Sequence, residues 1–490
     1  MSEPFQLHRL DTGTQGLNDI LFGGLPAGQM YLLEGAPGTG KTTLAMQFIR
    51  AGMALGESGL YVTLSEPRSE LESSMRSHGW NPSEIPVEEF VPSEAGLDPA
   101  QQYTVFHPSE VELASTVQRL TSVIDAKKPA RLVIDSLSEL HLLAADNMRY
   151  RRQLLALKQF FSGRETTVLL LDDRTTTQDN EQLRSIAHGV IALDKVPRSF
   201  GVTRRHVEVV KLRGSAYREG FHDYTIEHGG VVIYPRLVAA EHDAPYSEER
   251  VQSGVEGLDT MFGGGIARGS STLITGPTGS GKSTIAARYA YAAAARGERT
   301  IIYSFDEISR TARARAQALG MDFASVEKDD TLAIRQVDPA ELSPGEFVQQ
   351  IRDDVENNGA RVVVIDSLNG FMNAMPGERD LILHLHELIA YLNQNGVITF
   401  LILTQSGLVG TMHADVDVSY LADTVILLRY FEHEGTIKQA VSVLKQRVGA
   451  HERTLRELVM DERSITVGPP LRNFRGVLTG VPEIVKAAAS

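Results

Sequence analysis

Short apolar, β-branched runs alternate with longer helical stretches, and the whole alternation occurs twice along the chain. Tyr31-Leu32-Leu33-Glu34, Gly59–Leu64, Arg131–Ser136 and Thr167–Leu171 read as buried strands in the first half. Ser271–Thr275, Thr300–Phe305, Arg361–Ser367 and Ile398–Leu403 read the same way in the second. Helices are expected at Thr43–Ile49, Leu154–Phe160 and Thr284–Ala290. Later in each half comes a strand with basic residues near its end, Val209–Gly214 and Val443–Gly449. Alternating strands and helices predict an α/β fold with a mainly parallel sheet flanked by helices in each half. Ligands of such a sheet belong at the carboxyl ends of its strands.

The repetition is in register. Thr12-Gly13-Thr14-Gln15-Gly16-Leu17-Asn18 corresponds to Ser253-Gly254-Val255-Glu256-Gly257-Leu258-Asp259, and Gly13 and Gly254 stand 241 positions apart, as do Lys41 and Lys282. A repeat this long is a duplicated domain rather than a solenoid unit. Two domains are therefore expected, residues 1–240 and 241–490, joined by a polar linker from about Val238 to Val251. The end of the chain after Thr466 is expected to fray at its last residues.

The paired strand–loop–helix units carry the most specific chemistry. Gly35-Ala36-Pro37-Gly38-Thr39-Gly40-Lys41-Thr42 and Gly276-Pro277-Thr278-Gly279-Ser280-Gly281-Lys282-Ser283 both satisfy the phosphate-loop pattern G-x-x-x-x-G-K-[ST] without a mismatch. Glycines let consecutive N–H groups face phosphate oxygens, and the following helix adds its positive N-terminus. The expected ATP cradle is Gly38, Thr39, Gly40, Lys41, Thr42 and Thr43, with Gly279, Ser280, Gly281, Lys282, Ser283 and Thr284 as its twin. Asp135 and Asp366 end apolar strands, the position from which a carboxylate joins Thr42 or Ser283 in holding Mg²⁺. The strand after each phosphate-loop helix ends in acids, so Glu66 in the first half and Asp306 with Glu307 in the second are candidate bases for activating a nucleophile. Gln405, at a strand tip, is either a γ-phosphate sensor or a polar cap.

The late basic strands carry Lys211 with Arg213 and Lys445 with Arg447. Alternation on a strand puts both cations of a pair on one face, suited either to a finger reaching a neighbour's nucleotide or to an exposed basic strand. Arg149-Tyr150-Arg151-Arg152 opens a helix and reads as a solvated or subunit-facing end. His384 and His386, two apart on a helix, do not share a face and do not make a metal site.

Composition narrows the partners. The net charge is −14 over 490 residues, which opposes general attraction to nucleic acid. With no cysteine, disulfides and thiolate chemistry are excluded. No leader pattern and no apolar run of membrane-spanning length are seen, so a cytoplasmic location without membrane association is expected.

Taken together, the tandem phosphate loops, the Gly-x-x-Gly-Leu-[Asp/Asn] motif before each, the Asp-Ser strand ends and the late Lys-x-Arg strands resemble KaiC, the bacterial circadian-clock ATPase and autokinase family of the RecA superfamily. The resemblance covers roughly residues 5 to 480. It implies two RecA-like P-loop NTPase domains, a two-tiered ring, usually a homohexamer, and ATP at subunit interfaces. It further implies slow ATP hydrolysis in the first domain, serine/threonine autophosphorylation in the second, and a KaiB-like regulatory partner. Lys211 and Arg213, and Lys445 and Arg447, are similar to the family's trans-acting residues, while Asp306 and Glu307 match its adjacent glutamates. The family's phosphoacceptor pair falls on Ser419-Tyr420, before the strand Asp423–Leu428, with tyrosine in place of the family's threonine. In the first domain Ser65 replaces the first glutamate of the equivalent pair. The alternatives are a RecA-like DNA-handling ATPase and an ATP-dependent assembly switch without kinase activity.

Overall fold

The computed structural model describes residues 8–90, 108–144, 147–173, 180–198, 201–373, 381–405, 418–461, 464–479 and 483–484. Its contacts divide the chain into two units, Met1–Arg236 and Leu237–Ser490. Both are α/β, each built on a nine-stranded, mainly parallel sheet.

In the first unit the strands are β1 (Met30–Gly35), β2 (Gly59–Thr63), β3 (Val87–Glu89), β4 (Arg131–Asp135), β5 (Thr167–Asp173), β6 (Gly189–Val196), β7 (Arg204–Leu212), β8 (Phe221–Glu227) and β9 (Gly230–Tyr234). Their order across the sheet is β3-β2-β4-β5-β1-β6-β7-β8-β9. The first six are mutually parallel and the last three antiparallel. Every residue of β1 is buried, as expected of a central strand covered on both faces. Its alternating side chains feed two layers. Tyr31 and Leu33 pack with Leu44, Phe48 and Ile49 of the phosphate-loop helix α1 (Lys41–Ala54). Met30 and Leu32 pack on the other face with Leu120, Leu140, Leu154 and Leu157. That period of two is what a short apolar run between helices needs in order to serve both layers.

The second unit repeats the plan. Its strands are β10 (Ser271–Gly276), β11 (Thr300–Ser304), β12 (Leu332–Gln336), β13 (Val362–Asp366), β14 (Ile398–Thr404), β15 (Thr424–His433), β16 (Thr436–Gln446), β17 (Arg456–Met460) and β18 (Ile465–Pro470). They are ordered β12-β11-β13-β14-β10-β15-β16-β17-β18, which is the first sheet's order strand for strand. Ile274 packs on one face with Ile285 of helix α2 (Lys282–Ala295), and Leu273 on the other with Phe347, Ile351, Leu388 and Leu392. Leu237 and Ala239 belong to this second core. Among the described residues no helix is long and apolar enough to cross a membrane.

Candidate functional site

Each phosphate loop leaves the carboxyl end of its sheet's central strand and turns into a helix. The residue before each helix, Gly40 or Gly281, has φ near +93°. A Cβ there would be strained and would also collide with the side chain of Ile226 or Met460. The loops brace themselves. Thr39 Oγ1 donates to the Ala36 carbonyl and Ser280 Oγ to the Pro277 carbonyl, each at 2.8 Å. Tyr224 donates to the Thr39 carbonyl at 2.6 Å. What remains is a curl of main-chain N–H groups at a helix N-terminus, a cradle for phosphate.

In the first site Lys41 is buried, and all three ammonium protons have acceptors. They go to the Gly35 carbonyl (2.9 Å), the Ala36 carbonyl (3.2 Å) and Asp173 Oδ1 (2.7 Å). Thr42 Oγ1 donates to Asp135 Oδ2 at 3.1 Å, and Tyr61 donates to the same oxygen. The hydroxyl and carboxylate predicted to hold the metal therefore converge, a pair of hard oxygens suited to Mg²⁺. Burial pushes the Asp135 carboxyl up, against the hydrogen bonds from Tyr61 and Thr42 and the charge of Lys41. Glu66 is anchored through its main chain, its N–H donating to Thr63 Oγ1 at 3.0 Å and its carbonyl accepting from that hydroxyl at 2.7 Å. Its carboxyl is raised by burial and by the charges of Asp135, Glu70 and Asp173, with Lys41 opposing. A half-buried carboxyl moved toward neutrality beside a metal position is what a general base requires.

In the second site Lys282, Ser283, Asp306, Glu307, Asp366 and Gln405 come together around a cleft of about 980 Å³, with Thr284, Arg315, Ser367, Asn369 and Met460 among its other walls. Lys282 donates to the Gly276 (3.0 Å) and Pro277 (2.8 Å) carbonyls and makes no ion pair among the described residues. Burial pulls its ammonium down to about 8, opposed by the Asp366 charge. Asp366 is pushed up by burial against the Ser283 hydroxyl and the Arg315 charge. The two candidate bases are both engaged. Ser367 Oγ donates to Asp306, and Arg315 Nη2 holds Glu307 Oε2 at 2.7 Å while its Nη1 donates to Thr284 Oγ1 at 3.2 Å. Gln405 Oε1 is buried with no hydrogen-bond partner among the described residues. The peptide bonds Asp135–Ser136 and Asp366–Ser367 are both cis.

The remaining sequence-predicted residues lie elsewhere. Val190 pairs with Lys211 and Val425 with Lys445, at the amino ends of the parallel strands. Lys211 donates to the Arg184 carbonyl and Arg213 to that of Ser185 (2.6 Å). Lys445 donates to the carbonyls of Ser419 (3.1 Å) and Ala422 (2.7 Å), and Arg447 to that of Tyr420 (2.9 Å), also pairing with Asp423 at 3.2 Å. Asp423 Oδ2 accepts from Ser271 N–H at 3.0 Å, so Ser419 stands where β10 begins, whereas the phosphate loop starts where β10 ends. Six residues at about 3.3 Å each separate those ends by about 20 Å. Tyr420 is half exposed. On the helix Asn147–Phe161, Arg149, Arg151 and Arg152 face outward while Tyr150 is buried against His141.

Sequence reasoning missed three contributors. Tyr61 and Arg315 gave no signal, because a mid-strand tyrosine and a helical arginine reach the site only through the fold. Asp173 did give one, since Asp172-Asp173 closes an apolar strand just as Asp135 does.

A protein-family model for the KaiC ATPase matches the chain twice, over residues 10–238 and 251–472. Circadian clock protein KaiC3 of Synechocystis sp. is 29% identical over 483 residues, covering 97% of this chain and 95% of that protein. Circadian clock oscillator protein KaiC of Synechococcus elongatus is 29% identical over 494 residues, covering 98% and 93%. The oscillator protein KaiC of Thermostichus vulcanus is 28% identical over 486 residues, covering 97% and 92%. With both halves matched by one family model and two equivalent phosphate loops in place, the chain belongs to the KaiC ATPase family.

Proposed function

We propose that this ATPase is also a serine autokinase that works between chains of a ring, hydrolysing ATP at the first site and transferring its phosphate to Ser419 at the second. The observation that carries the reading is the polarity of each unit. The phosphate loop lies at the carboxyl end of the sheet, and Ser419, Lys445 and Arg447 lie at the amino end, about a strand length away. A chain cannot bring its own Ser419 to its own Lys282. Stacking amino end against carboxyl end around a closed ring, here taken as a hexamer, brings them together between neighbours. Lys211 and Arg213 then play the cationic part at the first site.

Bound Mg²⁺ supplies charge neutralisation of the transferred phosphate, and Thr42 with Asp135, or Ser283 with Asp366, would hold it. The chain's own groups do the rest. Lys41 and Lys282 leave loop carbonyls to meet phosphate oxygens. Glu66 accepts the proton of an attacking water. At the second site Asp306 or Glu307 accepts the hydroxyl proton of the incoming serine. A clock-type role with a KaiB-like partner is proposed on the same footing, with Ser419 as its phosphorylated position and Tyr420 beside it.

Complementation tests the reading. Lys282→Ala chains and Ser419→Ala chains are each incubated with γ-labelled ATP and Mg²⁺, then mixed. Neither alone should take up label, and the mixture should label the Lys282→Ala chains. Label on Ser419→Ala alone, or none in the wild type while hydrolysis continues, refutes the autokinase.

A further inference from the structure

The ion pair between Lys41 and Asp173 is not accounted for by the reaction above. Asp173 ends β5 directly opposite Gly35, the first residue of the phosphate loop. Its carboxylate lies 2.7 Å from the ammonium that must meet ATP, and it completes that ammonium's hydrogen bonds. It is also close enough to raise the carboxyls of both Glu66 and Asp135. Three acids thus gather around one lysine. At the same register in the second unit, opposite Gly276, stands Thr404, which has no charge, and among the described residues Lys282 donates to two carbonyls and no carboxylate.

We propose that Asp173 sets the nucleotide preference of the first site. Phosphates must take Lys41 from it, and the carboxylate, left beside the lysine, disfavours the triphosphate relative to the diphosphate. The phosphate-loop lysine reaches the β- and γ-phosphates, so a carboxylate beside it acts most strongly on the terminal phosphate and weakly on a nucleotide that lacks one. The second site, with threonine in that place, has no such bias.

The inference rests on nucleotide binding at the first phosphate loop. Wild-type titrations read that binding, and the variant comparison reads Asp173, so the two fail separately. Full-length chains carrying Lys282→Ala, which confines binding to the first site, are titrated with ATPγS and with ADP in the presence of Mg²⁺. Asp173→Asn is expected to tighten ATPγS by about tenfold and ADP by clearly less. Thr404→Asp, in a Lys41→Ala chain, is expected to weaken ATPγS at the second site in the same proportion, which keeps the test open should Asp173→Asn fold poorly. An unchanged ATPγS-to-ADP ratio in both variants overturns the proposal. So does loss of hydrolysis in Asp173→Asn at unaltered affinity, which would make Asp173 a group acting on water.

Discussion

The two phosphate sites share a backbone and differ in what restrains their side chains. The loops align without a gap and share their glycines and lysine, both lysines donate to the carbonyls of the first two loop positions, and Thr63 and Ser304 brace the following turn alike. Away from the loops the sites diverge. Tyr61 donates to Asp135, whereas the aligned position in the second unit is Ile302. Asp173 holds Lys41, and Thr404 stands in its place beside Lys282. Arg315 clamps Glu307, while the aligned residue of the first unit is Ser74, and Glu66 makes no ion pair among the described residues. The lesson is that the glycine pattern dictates a phosphate cradle and nothing more. Which reaction follows depends on whether the neighbouring acids are available, and residues on other strands and helices decide that.

The largest effect should come from the lysines. Lys41→Ala is expected to lower ATP hydrolysis by about two orders of magnitude and leave most of the Ser419 labelling, and Lys282→Ala to do the reverse. Parallel assays of released phosphate and incorporated label check this. Equal losses in both assays from either variant would break the comparison.

Next comes the acidity peculiar to the first unit. Asp172 is buried beside Asp173, accepts a hydrogen bond from Ser138 at 3.0 Å, and has Leu403 at its place in the second unit. Burial lifts its carboxyl from 3.8 to about 6, with the charges of Asp173 and Glu34 adding and Ser138 and His141 opposing. A carboxyl whose folded pKa lies above its unfolded one holds its proton more tightly when folded. Its contribution is therefore fully present below about pH 4 and lost as pH rises through about 6. At pH 7 the charged form costs on the order of 3 kcal/mol. Asp172→Asn keeps an acceptor for Ser138 and removes the charge. It should stabilise the first unit by about that amount at pH 7 and by nothing near pH 4, read from urea unfolding across that range. Destabilisation at pH 7 would mean that a cation compensates the charge.

How far these features could be read beforehand depends on the range of the interaction. The strands, the duplication and the loop residues are local patterns. Tyr31-Leu32-Leu33 needs two apolar neighbours, and Gly40 needs a positive φ, whatever the rest of the chain does. Of the expected strand Val443–Gly449 only Val443–Gln446 is strand, the end of a longer one, Thr436–Gln446, whose polar first half alternates too weakly to announce itself, and Arg447 lies just past it. The contacts of Tyr61 with Asp135 and Arg315 with Glu307 join separate elements, so their sequence positions carry no hint of them. Arg213 lies just past the end of β7 and bonds the carboxyl end of the helix Asn180–Ile186, a placement that alternation along a strand does not convey.

The Arg315 clamp offers a smaller but sharper test of the comparison. Its guanidinium lies along the Glu307 carboxylate, with Nη2 at 2.7 Å and Nε at 3.4 Å, and ties it through Nη1 to Thr284 on the phosphate-loop helix. A carboxylate held in that fork is oriented and has its oxygens occupied by the guanidinium, which suits a site meant to keep water from attacking. Among the described residues of the first unit no cation clamps Glu66, and the Glu66 carboxyl is raised. Arg315→Ser, which installs the first unit's residue, should therefore release Glu307 and raise hydrolysis at the second site by about tenfold. The measurement is phosphate release from full-length Lys41→Ala chains, in which second-site turnover is seen alone, alongside ATPγS affinity in the same chains. Faster hydrolysis at unchanged affinity would show that one arginine separates the two sites' chemistries. A parallel fall in hydrolysis and affinity would instead make Arg315 a nucleotide-binding group, and the difference between the halves would then rest on Asp173 and Tyr61.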